Sequence, residues 1–167
     1  MTIDEYILQH IDDEGDYLKA LYRDTHVKLL YPRMASGHLQ GRMLKMFVRM
    51  IRPRQVLEIG TYSGYSALCI AEGLPEGGML HTFEINDEQE DFTRPWLENS
   101  DYADKMRFYI GDAFEDISLP TIPCGMAMCW KNNPIAQTCR QSVSKPSMIW
   151  WRGMRVWRKS FSPCVTD

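Results

Sequence analysis

Apolar residues recur at helical spacing from Thr2 to about Leu30, as Ile3, Ile7, Leu8 and Ile11, then Leu18, Leu21 and Tyr22. Thr2 followed three residues later by Glu5 fits a capping box. Gly15 divides the stretch into two helices, because a mid-helix glycine costs about 1 kcal/mol relative to alanine. Tyr31-Pro32-Arg33-Met34-Ala35-Ser36-Gly37 reads as a loop, since Pro32 disfavours helix at the residue before it. A third helix follows with Leu39, Met43, Leu44, Phe47 and Met50 on one face, a stripe expected to pack into the core.

From residue 52 onward the period changes. Val56-Leu57-Glu58-Ile59-Gly60 reads as a short buried strand, and a glycine turn leads into a helix over residues 65–74. A second strand is predicted over 79–84, helix over 87–99 with an irregularity before Pro95, a third strand over 106–110, and a helix starting at Ala113. Strands alternating with helices predict an α/β fold with a parallel sheet covered on both faces, its ligands at the carboxyl ends of the strands. Residues 119–167 show no period of 2 or 3.6.

A length of 167 residues predicts one domain with a real core. A formal net charge of −3 supplies no clustered positive charge for nucleic acid or an anionic membrane. With no long apolar run and no basic, apolar leader, a cytoplasmic protein with reduced thiols is expected. The charge is unevenly placed. Residues 1–123 hold 12 Lys/Arg against 21 Asp/Glu, whereas residues 124–167 hold 7 basic residues and one acid, Asp167. That tail also carries Cys124, Cys129, Cys139 and Cys164 and four of the five tryptophans. So abrupt a change is what a shifted reading frame or a faulty gene model would produce, a genuine divergent tail being the alternative, and the domain expectation is 1–118 followed by an atypical tail, 119–167. Trp150 to Arg158 form a basic aromatic stripe, but in a segment with no pattern of its own. The four tail cysteines lack paired spacing and a histidine, so no zinc site is expected.

Candidate chemistry concentrates in Glu58-Ile59-Gly60-Thr61-Tyr62-Ser63-Gly64-Tyr65-Ser66. A strand running through glycines into a helix lets backbone approach a ligand and sets the helix's positive end beneath it. The dinucleotide spacing G-x-G-x-x-G is missing. Glu84, ending the next strand 20 residues after Gly64, stands where an acid accepts hydrogen bonds from ribose hydroxyls. A nucleoside without pyrophosphate fits both facts.

These residues resemble motif I of class I S-adenosylmethionine (SAM)-dependent O-methyltransferases, specifically the cation-dependent group typified by catechol and caffeoyl-CoA O-methyltransferases. Met34-Ala35-Ser36-Gly37 resembles that family's loop over the cofactor, Glu84 its ribose-binding acid, and Gly111-Asp112-Ala113 the turn beside the adenine. The resemblance covers residues 1–118 and implies a Rossmann-like methyltransferase fold with N-terminal helices and an incomplete parallel sheet. It implies that Met34, Ser36, Gly37, Glu58, Gly60 and Thr61 surround the methionine part of SAM, with Ser66 on its carboxylate. Tyr62 would lie near the sulfonium, Glu84 on the ribose diol, and Asp112 and Ala113 at the adenine. Each has a bland alternative: Tyr62 as surface, Ser66 or Asp112 as a helix cap, Ala113 as a small strand-end residue, Glu84 as a solvated one.

The family's Mg²⁺ site is a different matter. It needs an Asp-Ala-Asp-Lys-like motif and a later Asp-Asn, and beyond Asp116 the sequence has only Asp167, so a divalent cation is implied by resemblance while its ligands are missing. Three functions stand in order: methyl transfer from SAM to a hydroxyl of a small acceptor, expected to be aromatic; SAM binding without turnover; and NAD-dependent oxidoreduction. The resemblance also implies a homodimer.

Overall fold

A computed structural model describes residues 1–113 and 127–129. The capping box forms at the start of α1 (Ile3–His10): Glu5 N–H donates to Thr2 Oγ1 at 3.2 Å, and Thr2 N–H to the Glu5 carboxylate at 2.8 Å. Gly15, at φ 82°, precedes α2 (Asp16–Lys28). A single 3-10 turn at Pro32–Met34 leads to α3 (His38–Ile51).

The face that α3 buries differs from the predicted one. Gly41, Leu44 and Val48 point inward, Met43 and Phe47 are half-buried, and Leu39 and Met50 are 40 % and 72 % exposed. The period was right and the phase was not. Close approach to α4 (Tyr65–Gly73) decides the phase, because at Gly41 no side chain fits between these helices. A Cβ on Gly41 would stand 2.6 Å from Cys69 Sγ and 2.9 Å from Tyr65 Cε1. Ion pairs reinforce the contact, Glu72 accepting from Arg42 at 2.8 Å and Lys45 at 2.6 Å. Gly41→Ala is therefore expected to destabilise the fold by about 2 kcal/mol, overpacking outweighing alanine's gain in helix propensity of about 1 kcal/mol. Thermal unfolding checks this: a midpoint equal to or above wild type would contradict the packing.

Among the described residues the sheet has strand order β3-β2-β1-β4, all parallel, with β1 (Gln55–Ile59), β2 (Met79–Glu84), β3 (Met106–Ile110) and β4 (Ala127–Cys129). Parallel neighbours require crossovers, supplied by α4 and by α5 (Glu90–Glu98). One face of the sheet places Val56, Leu80 and Met106 in a core with Leu44, Val48, Leu68, Ile70 and Leu97. α5 runs straight through Pro95, and the irregularity lies earlier, in a 3-10 turn at Asp87–Gln89. Pro95 is exposed, so the carbonyl that loses its N–H partner can turn to water.

β4 is a strand that the sequence pattern does not predict. It pairs Leu57 with Ala127, Glu58 with Met128 and Ile59 with Cys129, covering one edge of β1. Three residues are too few to show a period. The predicted helix beyond Ala113, the other tail cysteines and the Trp150–Arg158 stripe lie outside the described residues. No helix among the described residues is long and apolar enough to cross a membrane.

Candidate functional site

β1 has β2 on one side and β4 on the other, so its carboxyl end is a topological switch point, where open α/β sheets bind ligands. The candidate turn begins there. Gly60 and Thr61 both donate their N–H groups to the Phe83 carbonyl, at 2.8 and 3.1 Å, which curls the chain over the end of β2. Gly60 has φ 94° and Gly64 φ 84°, values that glycine adopts without strain. Gly64 N-caps α4 with no side-chain hydrogen bond, so the positive end of that helix meets the turn without a capping side chain.

Glu58 is buried beneath the turn. Ser66 Oγ donates to its Oε1 at 2.6 Å and Thr82 Oγ1 to its Oε2 at 2.7 Å. The Thr61 and Thr82 hydroxyls are 2.6 Å apart; with the Thr82 proton directed at Glu58, Thr61 donates. Burial pushes the Glu58 carboxyl up from 4.5 to about 7, the hydrogen bonds from Ser66 and Thr82 oppose this, and the Glu84 charge adds to it.

Glu84 closes the other side. It is 8 % exposed, with Oε2 accepting Tyr62 N–H at 2.7 Å and Oε1 accepting Asn86 N–H at 3.0 Å. It is not a solvated strand end. A carboxylate offers about four acceptor positions, so capacity for a vicinal diol remains. Gly111 N–H donates to the Glu84 carbonyl at 2.9 Å, which brings half-buried Asp112 and buried Ala113 to the same edge. On the opposite lip, Ser36 is 4 % exposed, Met34 lies exposed on the 3-10 turn and Gly37 N-caps α3. Tyr62 reaches across to this lip, donating from Oη to the Leu30 carbonyl at 2.6 Å.

Glu58, Gly60, Thr61, Tyr62, Ser66 and Glu84 are thus joined at one turn, Asp112 and Ala113 follow Gly111 at its edge, and Met34, Ser36 and Gly37 follow the segment that Tyr62 reaches at Leu30. Two bland alternatives fall: Ser66 is inside α4 with Gly64 as the cap, and Tyr62 is anchored at both its backbone and its ring. Sequence reasoning passed over Thr82, Thr93 and Ser63. Thr82 bridges Glu58 to Thr61; Thr93 Oγ1 donates to the Tyr62 carbonyl at 2.5 Å; Ser63 Oγ is buried without a hydrogen-bond partner among the described residues. The available signal for Thr82 was its place two residues before Glu84 in β2, which puts both on one face of the strand. Among the described residues no group of three His, Cys, Asp or Glu side chains could hold a metal ion.

Known proteins resemble this chain in sequence and in fold. A family model described as O-methyltransferase matches residues 9–119. Catechol O-methyltransferase of Mus musculus is 34 % identical over 116 residues, 66 % of this chain and 43 % of that protein. Caffeoyl-CoA O-methyltransferase 1 of Zea mays is 33 % identical over 100 residues, 60 % of this chain and 38 % of that protein. The matched part of the chain thus spans about two-fifths of these relatives. Among solved structures, an O-methyltransferase of Streptomyces achromogenes involved in tomaymycin synthesis, in complex with SAM, superposes with TM-score 0.73 at 26 % identity, covering 86 % of this chain and 67 % of that one. A Bacillus cereus O-methyltransferase in complex with S-adenosylhomocysteine (SAH) shares the fold, with TM-score 0.74 at 24 % identity, covering 86 % of this chain and 68 % of that one. By the match over residues 9–119 and the descent that these identities record, the chain belongs to the O-methyltransferase family.

Proposed function

We propose that this chain binds SAM at the carboxyl end of β1 and transfers its methyl group to a hydroxyl of a small aromatic acceptor. The observation that carries this reading is Glu84, whose carboxylate faces the Gly60–Gly64 turn and is locked there by Tyr62 N–H. Glu84 accepts from the ribose diol, Ser36 and the 58–61 segment flank the amino-acid end, Ser66 meets its carboxylate through its backbone N–H in the first turn of α4, and Ala113 with Asp112 borders the adenine. When bound, SAM supplies an electrophilic methyl group. The chain's own residues hold the ligand's orientation, which is the larger part of catalysing an in-line transfer. The aromatic acceptor is suggested by the catechol and caffeoyl-CoA relatives, and a homodimer by the family resemblance.

A second reading is binding without turnover, favoured by the missing metal-ligand set: beyond Asp116 only Asp167 is acidic. Calorimetry of the full chain with SAM, SAH and NAD tests the site, with saturable binding of the first two and none of NAD expected. NAD binding with no response to SAM would overturn it. Methyl transfer to catechol, with and without Mg²⁺, then separates enzyme from binding module.

A further inference from the structure

Tyr62 holds φ 50°, a conformation that side chains of L-residues rarely adopt. Such a residue costs on the order of 1 kcal/mol or more and persists only where its surroundings over-determine it. Three contacts do so here: N–H to Glu84 Oε2 at 2.7 Å, carbonyl from Thr93 Oγ1 at 2.5 Å, and Oη to the Leu30 carbonyl at 2.6 Å. The last contact, among the described residues, is the hydrogen bond that reaches residues 30–34 from outside. Those that follow, Met34 N–H to Tyr31 at 2.9 Å and Ala35 N–H to Pro32 at 3.1 Å, are local to the loop. Packing contributes little at the start of the segment, where the Leu30 and Tyr31 side chains are 79 % and 74 % exposed.

Resting on the SAM reading above, we infer that Tyr62 is a positioning residue whose hydroxyl latches the backbone of residues 30–34 and so sets Ser36 against the turn at the amino-acid end of the ligand. Its backbone N–H orients Glu84 at the ribose end, and that contact survives loss of the hydroxyl. Tyr62→Phe therefore separates the two ends. The full chain and this variant are titrated calorimetrically with SAH, which has an amino-acid end, and with adenosine, which lacks one. The variant is expected to bind SAH about five- to tenfold more weakly, the worth of one hydrogen bond, and adenosine within about twofold of wild type. Hydrogen exchange should quicken at the Met34 and Ala35 amides while those of β1 stay unchanged.

Equal losses for both ligands would mean general damage to the cleft and overturn the inference. So would unchanged SAH affinity, or unchanged exchange at Met34 and Ala35. Wild-type chain that binds neither ligand would instead remove the SAM reading itself, a result visible before the variant is made.

Discussion

Glu84→Gln is expected to weaken SAH binding by about 30- to 100-fold, the loss of about 2–3 kcal/mol when a charged acceptor of a diol becomes a neutral amide. The expectation follows from where each oxygen points. Oε1 and Oε2 each accept a backbone N–H, from Asn86 and Tyr62. Glutamine has one acceptor oxygen, so its NH₂ group must face one of those donors. The carboxamide therefore disturbs the turn as well as losing charge. Calorimetry with SAH measures the affinity, and thermal unfolding measures the disturbance. A variant that bound SAH like wild type would show that Glu84 does not touch the ligand, and the site assignment would fail with it.

Glu58→Gln is expected to raise stability at pH 8 and to leave it nearly unchanged near pH 4.5. The folded carboxyl titrates near 7 and the unfolded one near 4.5. Between those values the folded chain holds a proton that the unfolded chain has released, so stability falls as pH rises through this window and the whole penalty is felt above it. At about 1.4 kcal/mol per pH unit the penalty is on the order of 3 kcal/mol. Glutamine removes it and keeps the network: Ser66 still donates to Oε1, while Nε2 donates to Thr82, whose proton turns to Thr61. Melts at the two pH values check this, and an equal shift at both, or none, would refute a charged Glu58 beneath the turn. The same substitution should weaken SAM binding, because a buried carboxylate with no cationic partner among the described residues is placed to receive a positively charged ligand.

Much of the candidate site was legible because glycine and acid positions carry their reasons locally. Gly60 and Gly64 need positive φ, and Glu84 ends a strand at a fixed distance from the turn. Partners were not legible. That Ser66 bonds Glu58 rather than capping α4, or that Tyr62 reaches Leu30 across 32 residues, depends on elements distant in the chain.

The sequence by itself determined the helix–strand alternation, the span of β2 and β3, the capping box at Thr2 and the turn that names the family, since each rests on spacing within a few residues. Only the tertiary structure decided the phase of α3, the passage of α5 through Pro95 and the pairing of Ala127–Cys129 with β1. Phase follows from which neighbour comes close, as Gly41 does to Cys69, and a three-residue strand exists only because an open edge of β1 accepts its backbone.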